Sequence, residues 1–308
     1  MKKYTKQILK IAVSVLLISI LFYKVGFKGV YENLVTVNSF YLILMIIVFL
    51  MSFLIASISI KVLLLPLKAR KLGLKKLVWY NMLTYAISRF IPGRVGDLSM
   101  VYFLKKEDIA VGKASAIVII DRIISFFVHF ILACFGFFIF FPSIVAVKLT
   151  CISILIFAVL IFFIIWKKGR DIVKKYVLRK HSNMFAGFYK TFSTYFKHYK
   201  YLLLINTIVT LVNIFFFGLM VYLAFCAINQ QINIDILTII IIVSITEILS
   251  LIPITISGLG LRETSVVFMF SKLGILAEFT MSAYLILLFI RYISSGVLLL
   301  IWTWAKKH

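Results

Sequence analysis

Residues 41–60 read YLILMIIVFLMSFLIASISI, twenty in succession without a charged side chain. A helix rises about 1.5 Å per residue, so this stretch covers the roughly 30 Å hydrocarbon core of a bilayer. It lacks the polar/apolar alternation of a barrel strand, and only helices and closed barrels satisfy their own backbone in lipid, so it predicts a membrane-spanning helix. Comparable apolar runs fall at 114–141, 149–166, 201–228 and 281–304. The 308 residues are 63% hydrophobic and 14% charged, with a mean hydropathy of +1.12. Soluble domains carry about 25% charged residues, so this composition excludes a water-soluble fold and gives an all-α integral membrane protein.

The net charge of +24 would suggest a nucleic-acid partner in a soluble protein. Here its placement argues for topology instead, because cytoplasmic loops of membrane proteins are enriched in Lys and Arg. Of the 34 basic residues, 24 fall at the two ends and in the loops 68–76, 105–113 and 167–200. Four (Lys24, Lys28, Lys148, Lys272) fall on the opposite side and six at membrane depth. Both termini are therefore expected in the cytoplasm, in a multi-pass protein of the cell (plasma) membrane with no nucleic-acid partner. The basic side should attract anionic lipid at roughly 1 kcal/mol per side chain near the headgroups. Lys2, Lys3, Lys6 and Lys10 precede the first apolar run with no small-residue cleavage site after it, so an uncleaved first span is expected. Cys134, Cys151 and Cys226 lie inside apolar runs without metal-ligand spacing and read as packed free thiols.

About six spans follow, near 8–23, 40–65, 114–141, 149–166, 201–228 and 279–304. Two further apolar segments are short and broken. Residues 77–104 begin and end among cytoplasmic charges and are interrupted by Ile91-Pro92-Gly93-Arg94-Val95-Gly96-Asp97, which predicts a re-entrant hairpin. Residues 236–276 are interrupted at Pro253 and at Ser257-Gly258-Leu259-Gly260-Leu261-Arg262-Glu263, and parity favours a second hairpin entered from the other side. Between the fourth and fifth spans, residues 171–200 place Phe185, Phe188, Tyr189, Phe192, Tyr195, Phe196 and Tyr199 at helical spacing opposite Lys190, Lys197 and Lys200. This is either an interfacial amphipathic helix or a cap on the bundle. No segment is long enough for a separate soluble core, so residues 1–308 form one membrane domain.

Charged side chains at membrane depth cost several kcal/mol and need a partner or a wet cavity. Arg89, Arg94 and Asp97 surround the first break, Glu247, Arg262 and Glu263 surround the second, and Asp121, Arg122 and Arg291 lie in neighbouring spans. Broken helices leave N–H groups and a positive dipole end that favour an anion; Pro92 stands in the first break, and Gly93, Gly96, Gly258 and Gly260 let backbone approach a ligand. Paired Gly/Pro-broken segments are a sequence pointer to a substrate site in transporter folds, and the loose similarity of residues 92–99 to 257–264 raises an inverted repeat. Arginine suits phosphate because its planar fork makes paired, charge-assisted hydrogen bonds. The alternative is internal pairing, Arg94 with Asp97 or Arg262 with Glu247, that merely buries the hairpins. The expected ligand is a lipid with an anionic headgroup, phospholipid or polyprenyl-linked. His129, His181, His198 and His308 show no metal spacing, and neither a Gly-x-Ser-x-Gly elbow nor a nucleotide-binding Gly-x-x-x-x-Gly-Lys loop is present, so no cofactor, metal or catalytic residue is assigned. Transport, on this reading, runs downhill, by ion coupling, or by metabolic pull.

Pro92-Gly93-Arg94-Val95-Gly96-Asp97, Asp121-Arg122, Pro253 with Ser257-Gly258-Leu259-Gly260-Leu261-Arg262-Glu263, and Arg291 together resemble the flippase-like membrane domain of bacterial lysylphosphatidylglycerol synthases, over essentially the whole chain. The resemblance implies translocation of an aminoacylated phospholipid between leaflets. In that family a separate soluble domain attaches lysine from charged tRNA, and this sequence ends at His308 without it, so a separate lipid-synthesising enzyme is the implied partner. Two departures stand out: Asp97 replaces a frequent glutamate, and Arg94 occupies a position that is often small. Membership in a lipid-modifying system, such as lipid lysylation or polyprenyl-phosphate glycan assembly, is the second reading, and a membrane scaffold with structural hairpins the third.

Overall fold

The computed structural model describes residues 2–67, 72–90, 96–165, 185–230, 233–250, 255 and 258–305. All regular structure among them is helical: α1 (Lys2–Val25), α2 (Phe27–Val35), α3 (Ser39–Leu64), α4 (Leu74–Phe90), α5 (Ser99–Lys105), α6 (Val111–Phe140), α7 (Ser143–Ile165), α8 (Phe188–His198), α9 (Lys200–Ala227), α10 (Ile236–Leu249), α11 (Leu261–Lys272) and α12 (Ala277–Ala305).

Local chemistry sets several of these limits. The Asn38 side chain accepts the Phe40 N–H at 2.9 Å and starts α3, and Asp235 accepts the Thr238 N–H at 2.8 Å and starts α10. Pro66 sits in the 3-10 turn Leu65–Leu67 that closes α3, where its missing N–H cannot continue the ladder. Phe141, extended because Pro142 follows, closes α6.

The helices α3, α6, α9 and α12 are long and apolar enough to cross a membrane, and α1 with α2 adds a fifth crossing if that pair, bent by 86°, counts as one. Their outer faces carry Ile43, Phe135, Leu204 and Leu300 exposed, as a lipid solvent demands. Shorter apolar helices follow at Ser143–Val159, within α7, and at α10. The amphipathic segment expected at 171–200 is described from residue 185 onward, its earlier part lying outside the described residues. There α8 buries Thr191, Phe192 and Tyr195 against α6 and α9, and the Tyr195 hydroxyl donates to the Leu63 carbonyl.

The centre is an antiparallel pair, α3 and α9. The Asn38 N–H donates to Ala227 O at 2.7 Å at one end, and the Asn206 amide donates to Ser59 O at 3.1 Å near the other. Around it, α4 packs between α3 and α12, whereas α10 packs between α9 and α6. The short α5 rests on α6, and α11 rests on α12. Both broken segments are therefore present as helix pairs, α4–α5 and α10–α11, and none of the four has the length of a span.

Glycine permits the close approach of α10. A Cβ on Gly218 of α9 would lie 2.6 Å from Ile240, and one on Gly136 of α6 would lie 2.5 Å from Ile241 and Ile245. Gly218→Val is expected to destabilise the protein by about 1–3 kcal/mol through overpacking. Gly296→Ala, with open space around it, should not. Thermal unfolding of the two variants in the same detergent checks this.

Candidate functional site: a charged cavity at mid-helix depth

Polar side chains recur at helical spacing on otherwise apolar elements and converge on one cavity. Asn81, Thr84, Tyr85 and Ser88 mark one face of α4; Arg122, Ser125 and His129 mark one face of α6; Thr210 and Asn213 do so on α9, with the apolar Phe217 one turn further along the lining. With Glu247 of α10, Arg262 of α11 and Arg291 of α12 they enclose about 260 Å³. Arg291 is the fifteenth of the 29 residues of α12, about 21 Å from either helix end.

The two breaks deliver charges to this space. After the first, Gly96 lies directly against the Ser88 backbone, a contact that any Cβ would block. The next residue, Asp97, reaches the cavity and accepts a hydrogen bond from the Ser88 hydroxyl at 2.5 Å. Its other oxygen stands 3.8 Å from Arg122 Nη1. Before α11, Gly258 and Gly260 have φ of +81° and +84°, a left-handed conformation that favours glycine. A Cβ on Gly258 would press on Ser250 at 2.8 Å, and one on Gly260 would press on Leu17 at 2.9 Å and Ser14 O at 3.0 Å of α1. This tight turn aims Arg262 inward, where Nη2 meets Glu247 Oε1 at 2.6 Å.

The carboxylates expected from sequence divide their work. Asp97 and Glu247 line the cavity. Asp121 lies behind it, 4% exposed, accepting from Ser59 Oγ at 2.5 Å, Asn206 Nδ2 at 3.2 Å and Arg122 Nη2 at 2.8 Å. Glu263 lies outside the lining and accepts the Gly260 N–H at 2.6 Å, satisfying a free donor at the start of α11. Its carboxylate serves the helix start, so the anion position expected at that helix end is filled from within the chain. Pro92, Gly93 and Arg94 lie outside the described residues.

The four described arginines are held differently. Arg122 and Arg262 are paired with carboxylates. Arg89 donates through Nη2 to the Tyr85 hydroxyl at 2.9 Å and lies over the same ring, 4.5 Å from its centroid. Arg291 lies over the Phe217 ring at 4.3 Å and is only 2% exposed. Its Nη2 has no hydrogen-bond partner among the described residues, and neither has Arg262 Nε. Four guanidinium groups thus face two carboxylates in the lining, with Asp121 as a third behind Arg122. Every charged lining residue among those described stands out in the sequence, whereas Tyr85, Phe217, Asn81 and Asn213 do not, and His129 is conspicuous there only for its lack of metal spacing. The signal for the polar ones was available in the stripes at 81/84/88, 122/125/129 and 206/210/213.

The fold and cavity define a multi-pass helical membrane protein with a positively biased polar pocket between two broken helix pairs. The chain matches, over residues 7–298, the family described as the lysylphosphatidylglycerol synthase TM region, and it belongs to that family of membrane domains tied to lipid modification. No curated protein matches the chain closely enough to count as a relative.

The Arg262–Glu247 pair permits a direct test. Removing one partner of a buried pair leaves an uncompensated charge and costs about 3–5 kcal/mol, whereas replacing both with apolar residues is often near neutral. Glu247→Leu alone should therefore lower stability more than Glu247→Leu with Arg262→Met, as read by thermal unfolding.

Proposed function

We propose that this protein moves a lipid with a phosphate-bearing headgroup between the leaflets of the cell membrane, holding the headgroup in the cavity while the acyl chains stay in the hydrocarbon region. The observation that carries this reading is the excess of arginine over carboxylate in the described lining, above all the Arg291 guanidinium, one of whose donors no group among the described residues satisfies. A buried cation without a counter-charge is costly, and a phosphate oxygen supplies both the charge and the acceptor. Arg89, Arg122 and Arg262 stand on the same lining to share that charge.

The topology that serves this function has six spans, both termini cytoplasmic, and the α4–α5 and α10–α11 pairs as re-entrant hairpins from opposite sides. The packing supports relating the two halves as inverted repeats. The sequence α2 to α6 has a counterpart in α8 to α12: α4 meets α12 as α10 meets α6, α5 rests on α6 as α11 rests on α12, and α2 lies on α12 as α8 lies on α6. Alternating access then needs only a rocking of one half against the other about the cavity.

A second reading, service as the membrane part of a lipid-modifying system, is favoured by the family description itself. Lipid analysis of a deletion strain separates the two. Loss of a lipid species indicates synthesis, and an unchanged inventory with altered outer-leaflet exposure indicates transport.

In proteoliposomes, labelled phosphatidylglycerol or polyprenyl phosphate is expected to exchange leaflets at least about tenfold faster with the wild-type protein than with Arg291→Gln, the loss expected from removing one charge-assisted hydrogen bond. Equal rates for the two proteins would refute the proposal.

A further inference from the structure

The helix α2 has three chemically distinct sides. One packs on α12: Val30 is 1% exposed, the Asn33 amide donates to Ser282 Oγ at 3.4 Å, and Gly29 lies directly against the Glu278 side chain. A second carries Phe27, Tyr31 and Val35, one helical turn apart, 69%, 58% and 66% exposed. The third carries Lys28 and Glu32, paired in the open at 3.9 Å.

The direction of α2 is as informative as its faces. Gly26, with φ of +90°, turns the chain so that α2 leaves α1 at 86°. With α1 as the first of the proposed spans, a helix perpendicular to it runs in the plane of the membrane. Phe22, Phe27 and Tyr31 form a continuous row of rings across that bend, with centroids 6.2 and 6.4 Å apart.

We infer that α2 is an interfacial helix whose Phe27–Tyr31–Val35 face docks into the headgroup–acyl boundary of the leaflet in which α1 ends. Its partner is the lipid surface itself. A water-exposed helix would not keep three large apolar side chains in line, and a helix at full membrane depth would not carry Lys28 and Glu32. Only a position at the boundary gives each side its own solvent: protein for Val30, acyl chains for Phe27 and Tyr31, water and headgroups for Lys28 and Glu32. Aromatic rings favour this level, where an apolar body and a polar tip are both served. This inference rests on α1 as the first of the six spans proposed above, and it is independent of what the cavity carries.

Spin labels at Phe27→Cys, Lys28→Cys, Tyr31→Cys and Glu32→Cys, with Cys134, Cys151 and Cys226 replaced by alanine, read the environment in nanodiscs. The ratio of oxygen to aqueous-nickel accessibility is expected to be about tenfold higher at 27 and 31 than at 28 and 32, as for a helix lying at the interface. A parallel measurement leaves the cysteines in place: Tyr31→Trp fluorescence should be quenched more by lipids brominated near the headgroup than by lipids brominated near the chain end. Aqueous access at position 31, stronger quenching from the chain end, or a face closed to both oxygen and nickel because a second copy covers it would each overturn the inference.

Discussion

A guanidinium group halfway along a spanning helix governs this structure. Charge at that depth is tolerated only with a counter-charge, a hydrogen-bonded shell, or water. Arg122 and Arg262 meet the requirement with Asp121, Asp97 and Glu247. Arg89 and Arg291 meet it partly with the rings of Tyr85 and Phe217, whose electron-rich faces attract a cation without supplying a full negative charge. The described lining therefore carries a deficit of negative charge, and that deficit is the basis for the proposed ligand.

The broken helices follow from the same requirement. A continuous helix would carry each charge on its own axis, whereas a break lets Asp97 and Arg262 enter the cavity from segments too short to cross. The breaks in turn depend on glycine. Gly96 permits the return of the chain onto Ser88, and Gly258 and Gly260 adopt left-handed conformations while packing on Ser250 and on α1. Glu263 then satisfies the free N–H of Gly260 at the buried start of α11 from within the chain. Backbone irregularity of this kind survives at membrane depth because it is buried in protein or faces a cavity.

Much of this was legible in the sequence because the bilayer imposes a simple code. Uninterrupted apolar runs gave the long helices, and intramembrane charge marked Arg89, Asp97, Arg122, Glu247, Arg262 and Arg291, all of which line one cavity. Less legible were features decided by the direction in which a side chain leaves its helix. Asp121 and Arg122 are adjacent, yet one faces the α3–α9 seam and the other the cavity. Glu263 follows Arg262 and points the opposite way, to a helix start. The perpendicular turn at Gly26 escaped a reading based on apolar length, since α2 is short and carries Lys28 and Glu32 beside its aromatic residues.

Native mass spectrometry of the protein extracted from its own membrane tests the central claim most directly. The account requires that the wild-type protein retain a phosphorus-containing lipid and that a variant with Arg89→Met and Arg291→Met lose it while keeping its fold. Equal retention by both proteins, or retention of neutral lipids alone, would contradict the idea that these arginines await an anionic headgroup.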